Sequence, residues 1–254
     1  MLTQNTLNSA QLMDRILTAL DNQAPLSVVS VGQTEAFVMA QYTIYPEEEF
    51  MRHREAYNAN RGKRSGFFHR GIRFPNLAAR DETVEAVKRS HIIGYNTVVE
   101  PAKSFTERVF AAYGIEPEGI FEANIRRVMM FSQKERFEQL LKNRRVLLVS
   151  SLAQEAKAVL ESRYTKARPC SVEAISIYEY EEIPSVKEEL AKIDFDLCFL
   201  AAGVNAVILA SFIAWQLGKV ACDIGWGMQS LITGKIVTDS WVVNHIGIDN
   251  LFKM

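Results

Sequence analysis

The sequence predicts an α/β fold in which a mostly parallel sheet is flanked by helices. Three observations carry this. Apolar, β-rich runs alternate with helix-period segments along the 254 residues, the runs are continuously apolar as strands covered on both faces require, and several end in a glycine that opens a helix. The expected strands are residues 27–31, 145–150, 174–178, 196–201 and 220–224. Between the later ones, residues 152–163, 185–192 and 205–217 repeat apolar side chains at three and four positions, as crossover helices do. Further helical patterns occupy 10–20, 34–42, 47–57, 81–89, 104–113 and 134–141. Asp81 and Ser104 read as N-caps, Ser104 completing a capping box with Glu107, and Gly114 and Gly218 read as C-terminal stops. With no internal repeat and no Gly/Ser linker, residues 1–254 are expected to form one domain.

Composition narrows the function classes. Lys and Arg number 29 against 30 Asp and Glu, a net charge of −1, so there is no overall field to attract nucleic acid and none is expected as a partner. The longest apolar stretch, 204–217, is interrupted by Asn205, Ser211 and Gln216 and is shorter than the roughly 20 residues a membrane helix needs, so no membrane span is expected. Residues 1–23 are charged only at Asp14, Arg15 and Asp21 and read as a helix rather than a signal peptide. Cys170, Cys198 and Cys222 are odd in number and lie far apart, and His53, His69, His91 and His245 show no ligand spacing. Buried free thiols in a cytoplasmic protein follow from that pattern.

Three segments hold residues suited to chemistry. The first runs from the buried strand through Gly32, Gln33, Thr34 and Glu35. A strand that turns at once into a helix aims backbone N–H groups at the carboxyl edge of the sheet, where α/β folds bind anions. Glu35 is placed to accept a sugar hydroxyl, to hold a divalent metal, or only to complement the helix dipole. The turn lacks the second and third glycines of a dinucleotide fingerprint, so NAD is not expected, nor is haem. The second segment contains Gly203, Val204 and Asn205, followed after a long apolar helix by Asp223, Gly225 and Trp226. If the strands are parallel these turns share an edge with Gly32, with the glycines admitting a phosphate or base, Asp223 binding sugar hydroxyls or metal, and Trp226 stacking on a ring or packing in the core. The third, residues 61–75, carries Arg61, Lys63, Arg64, Arg70 and Arg73 without an acid, which suits a loop meeting a diphosphate, a small nucleic-acid patch with interleaved aromatics, or a solvated loop anchored by Phe67, Phe68 and Phe74.

On these residues the chain resembles the GT-D fold glycosyltransferases, in particular bacterial proteins carrying a GT-D fold-like domain. Its anchors are Val31-Gly32-Gln33-Thr34-Glu35 leading into residues 36–41, then His69-Arg70-Gly71-Ile72 with Pro75-Asn76 and Ala79-Arg80-Asp81, and Ala202-Gly203 with Gly218-Lys219-Val220 and Asp223-Ile224-Gly225. The resemblance implies a Rossmann-like α/β fold and transfer of a sugar from a nucleoside-diphosphate donor to a glycan, protein or lipid acceptor, and leaves room for a homo-oligomer. It implies Glu35 as a ligand to Mn or Mg and to the donor; taken with the turns read above, Glu35 and Asp223 are the candidate catalytic carboxylates, and Gly32, Gln33, Thr34, Arg70, Arg73, Gly203, Val204, Asn205, Gly225 and Trp226 are expected around the donor. In that family the first turn reads Arg-x-Gly-Asp-Gly-Glu. Here Ser30, Gln33 and Thr34 stand in place of the Arg, the Asp and the second Gly, and Trp226 stands where a His is usual. An amide is a poorer ligand for a hard cation than a carboxylate, so the alternative expectation is a catalytically degenerate binding or scaffold protein of the same fold.

Overall fold

In the computed structural model, residues 6–62, 70–164 and 169–254 are described. Among them seven strands form one sheet: β1 (Leu26–Val31), β2 (Ile92–Tyr95), β3 (Gly119–Glu122), β4 (Arg145–Ser150), β5 (Ser171–Ile175), β6 (Leu197–Ala201) and β7 (Val220–Asp223). Their order is β3-β2-β1-β7-β6-β4-β5, and each pairing is parallel; Val28, for example, lies opposite Ile92 on one side and Cys222 on the other. Around the sheet lie α1 (Ser9–Asp21), α2 (Gln33–Met39), α3 (Glu47–Arg52), α4 (Arg54–Arg61), α5 (Leu77–Lys88), α6 (Ala102–Tyr113), α7 (Met129–Ser132), α8 (Lys134–Leu141), α9 (Ala153–Arg163), α10 (Ile183–Leu190), α11 (Val204–Leu217), α12 (Gly227–Thr233), α13 (Ser240–His245) and α14 (Ile248–Lys253). This is the α/β, Rossmann-like architecture that the sequence predicts.

A parallel sheet covered on both faces sends alternate residues into two cores. Val28, Val146, Leu148, Phe199 and Cys222 enter one, with α1, α8, α9 and α12; Val29, Val31, Leu147, Cys198 and Leu200 enter the other, with α2, α5, α6, α10 and α11. A third cluster packs Phe37 of α2 against Phe50, Ala56, Ile72 and Phe74. The apolar run that the sequence singles out is α11, which lies against β1, β7 and α5 with both flanks covered. No helix among the described residues is long and apolar enough to cross a membrane.

The chain path places the site. From β1 it builds β2 and β3 on one side, crosses the sheet to β4 and β5, and returns through β6 to β7, which closes against β1. Leaving β1, α2 packs into one core; leaving β7, α12 packs into the other. Adjacent strands whose following segments depart to opposite faces open a crevice at the carboxyl edge, the switch point at which open α/β sheets bind ligands.

Several local expectations change. β2 and β3 were not expected, because each has four residues and the runs Ile92-Ile93-Gly94-Tyr95 and Gly119-Ile120-Phe121-Glu122 are too short to stand out. The strand expected at 174–178 lies at Ser171–Ile175: as an edge strand it is only partly buried, and the apolar run that displaced the reading includes Ile177, buried just beyond the strand end. The helix expected at 47–57 is two, because His53 adopts an extended backbone and its Nδ1 accepts the Glu55 N–H, capping α4. Asp81 and Ser104 lie inside helices. Asn76 caps α5 by accepting the Ala79 N–H at 2.9 Å, α6 begins after Pro101, and Glu107 accepts the Tyr95 hydroxyl. Gly114 and Gly218 end α6 and α11 in the left-handed conformation as expected. Cys198 and Cys222 are buried thiols, whereas Cys170 is exposed.

Candidate active site

β1 delivers its last residue to Gly32, and α2 starts at once. Glu35, at the third helical position, turns back so that Oε2 accepts the Gly32 N–H at 2.9 Å, the return half of a capping box. Glu35 is 8% exposed. Burial holds it above the ordinary value of 4.5; Arg126 opposes that shift and Asp223 adds to it.

Asp223, the last residue of β7, is 4% exposed. Its Oδ2 accepts from Arg126 Nη1 at 2.5 Å and its Oδ1 accepts the Gly225 N–H at 2.9 Å. Burial nevertheless outweighs these partners and raises the Asp223 pKa. Arg126 arrives on the turn Ala123–Arg127 that follows β3, and two glycines make room for it. A Cβ on Gly225, whose φ is +44°, would lie 2.7 Å from the guanidinium carbon, and one on Gly227 would lie 2.5 Å from the Arg126 carbonyl oxygen. The close approach at Gly225 is therefore made by Arg126. Arg127 donates to Asp239 at 3.0 Å and to Thr238, and its guanidinium lies 5.5 Å from the centre of the Trp226 ring. Burial, reinforced by Arg126, lowers the Arg127 pKa, while Asp239 opposes the shift. The Nε atoms of Arg126 and Arg127 are buried and have no hydrogen-bond partner among the described residues.

After β6, Gly203 has φ +58°, and a Cβ there would lie 3.0 Å from the Arg70 carbonyl oxygen. Asn205 Nδ2 donates to the Gly71 carbonyl at 3.0 Å, and Val204 is fully buried. These contacts pin residues 70 and 71 to the mouth of the crevice.

A cavity of about 470 Å³ lies over these ends. Of the residues singled out in the sequence, Gly32, Gln33, Thr34, Glu35, Arg70, Gly203, Asp223, Gly225 and Trp226 line it. Val204 and Asn205 do not: Asn205 donates to the Gly71 carbonyl, and Val204 is buried in the cluster that contains Ile72 and Phe74. Arg73 does not either: its guanidinium donates to the carbonyls of Ala59 and Gly62 and lies 3.7 Å from Glu179. Lys63, Arg64, Phe67, Phe68 and His69 lie outside the described residues. Sequence reasoning missed Arg126, Arg127, Ser150, Tyr178 and Asp239, which also line it. A signal for the first two was present, because adjacent arginines between Ile125 and Val128-Met129-Met130 are charges inside an apolar run and such charges need partners.

Comparison with protein families matches residues 7–231 to the GT-D fold-like domain. The chain belongs to the GT-D fold-like domain family. A solved structure of the highly conserved domain of unknown function 1792, described as having a distinct glycosyltransferase fold, superposes with a TM-score of 0.59 at 12% identity, covering 93% of this chain and 84% of that one. A selenomethionine-substituted structure of the same domain type gives a TM-score of 0.57 at 13% identity with the same coverage. At such identity the likeness is one of fold. No curated protein matches the chain.

Against the metal-binding pattern expected of a GT-D fold-like domain, the groups here are already committed. Glu35 is bonded to Gly32, Asp223 is bonded to Arg126 and Gly225, and Gln33 supplies only an amide. Among the described residues no three His, Cys, Asp or Glu side chains converge. As arranged, the charge facing Asp223 is that of Arg126.

Proposed function

We propose that the chain binds a nucleoside-diphosphate sugar in the crevice above β1, β7, β6 and β4 and transfers the sugar to an acceptor hydroxyl. The observation that carries this reading is the placement of Arg126 and Arg127, adjacent and largely buried, beside two buried carboxylates at the switch point of a glycosyltransferase-type fold. Guanidinium groups match phosphate oxygens, and Arg70 at the mouth adds a third. In the transfer, the acceptor oxygen bonds to the anomeric carbon, the bond from that carbon to the diphosphate oxygen breaks, and the nucleoside diphosphate leaves with the electron pair. The arginines stabilise the charge that grows on it. The hydroxyl proton passes to a carboxylate, Glu35 or Asp223; raised pKa values in a crevice are what such a role uses. Free thiols at all three cysteines support the cytoplasm as its compartment.

A second reading is favoured by Gln33: a binding or scaffold protein that holds the donor without turning it over. Calorimetric titration of nucleoside-diphosphate sugars, followed by donor-hydrolysis and transfer assays on the same preparations, tests both. Binding with turnover supports the enzyme and binding without turnover supports the scaffold. If no nucleotide sugar binds, the donor site is rejected.

A further inference from the structure

Among the described residues three arginines line the crevice, and each is paired with a carboxylate: Arg70 with Glu55 at 3.3 Å, Arg126 with Asp223 at 2.5 Å and Arg127 with Asp239 at 3.0 Å. The three acids are not equally committed. The side chains of Asp223 and Glu55 are 5% and 8% exposed, so loss of the cation would strand a buried charge. That of Asp239 is 38% exposed, and water can replace its cation. The backbone divides them in the same way. Asp223 ends a central strand and Glu55 lies in α4, whereas Asp239 belongs to the irregular stretch between α12 and α13.

Each Asp239 oxygen has its own partner. Oδ2 accepts from Arg127 Nη1, while Oδ1 accepts the Val242 N–H at 2.9 Å and so caps α13. The carboxylate therefore latches the start of α13 to a cation of the crevice. On either side the stretch is fastened by the Val237 N–H, which donates to Ser230 Oγ, and by Val242 and Ile246, which enter the core. We propose that Asp239 is a built-in competitor for the crevice: an anionic ligand takes Arg127 by displacing the carboxylate, and the displacement loosens the first turn of α13. Apparent anion affinity is lowered by the fraction of molecules in which the latch is closed. With a diphosphate in the crevice, which is the reading this inference rests on, the returning carboxylate helps to expel the leaving group once the transfer is over.

The test uses the full chain and inorganic pyrophosphate. Asp239→Asn removes the charge and keeps a good capping residue, and Asp239→Ser caps through a side chain too short to reach as far. By calorimetry both variants are expected to bind pyrophosphate about tenfold more tightly than wild type, while Glu188→Gln, an exposed position on α10, should bind as wild type does. Hydrogen exchange reads the latch without any substitution: saturating pyrophosphate should speed exchange of the 238–246 amides in wild type severalfold, and should add little in Asp239→Asn, where they exchange fast already. Equal or weaker pyrophosphate binding by both Asp239 variants overturns the proposal, as does wild-type exchange in that segment that pyrophosphate slows or leaves unchanged. A gain of the same size in Glu188→Gln would reduce the effect to overall charge and overturn it too. If neither wild type nor variants bind pyrophosphate, the latch and the diphosphate reading fall together. The expected changes without binding of any nucleotide sugar leave the latch standing and remove the donor.

Discussion

Arg126 and Asp223 form an ion pair at 2.5 Å across 97 positions of the chain, joining the turn after β3 to the end of β7. It is the only charged contact that ties the outer strand's exit to the central strand on which the crevice is built, among the described residues. Removing the cation leaves a buried carboxylate unpaired. Arg126→Ala is therefore expected to cost about 3 kcal/mol at pH 7. The deficit should shrink toward pH 5, because the orphaned Asp223 escapes its penalty by protonation. Urea denaturation at both pH values measures it; a deficit that does not depend on pH would mean that the pair contributes by packing alone.

Glu35 gives a second pH signature. Its pKa is raised in the folded protein, so the native state holds its proton to higher pH than the unfolded chain does. The contribution of that proton is complete below the unfolded pKa and is lost as pH rises through the folded one. Glu35→Gln keeps an oxygen for the Gly32 N–H and does not titrate. Relative to wild type, its stability should rise between pH 4 and pH 8, read from the denaturation midpoint. The opposite slope would show that Arg126, not burial, dominates the carboxyl.

Two glycines of like conformation separate backbone strain from crowding. Gly218 has φ +67° with nothing within 4 Å of an added Cβ, whereas Gly225 has φ +44° with Arg126 in the way. Gly218→Ala should cost about 1 kcal/mol and leave nucleotide-sugar affinity intact. Gly225→Ala should cost more and also weaken that affinity, because the guanidinium is displaced. Equal binding by the two variants would detach Arg126 from the donor.

Gln33 decides metal dependence. Wild-type donor affinity is expected to be nearly the same with and without manganese, while Gln33→Asp should acquire a manganese-dependent increase together with donor hydrolysis. Calorimetry on both proteins with and without the ion measures it. Wild-type binding that requires manganese would show that a ligand outside the Glu35 turn completes a metal site.

The fold was legible where hydrophobic patterning is long. β1, β4, β6 and β7 are runs buried on both faces, and periodicity reads such runs directly. β2 and β3 were not legible, since four-residue strands centred near a glycine or an acid carry too little pattern. The site divided in the same way. Gly32, Glu35, Gly203 and Asp223 sit at strand exits that the sequence announces, so their common edge followed from parallel pairing. Arg126 and Arg127 enter from a turn after a strand that was not read, and only the folded sheet brings them beside Asp223. Arg73 looked equivalent to Arg70 in a basic segment; backbone carbonyls of Ala59 and Gly62 claim it instead, and sequence carries no sign of such a contact.

The junction of β1 with β7 has a kinetic consequence. Leu26 pairs with Val220, so β1 is made long before its central neighbour, and closing so large a loop makes this pairing slow. Until β7 arrives, the edges of β1 and β6 are bare hydrogen-bonding rims in a growing chain. Gly32 and Asp223 meet only when that gap is filled. The crevice thus comes into existence only once β7 has docked, and any ligand that clasps both sides of the seam would act as the fastening that holds the sheet shut.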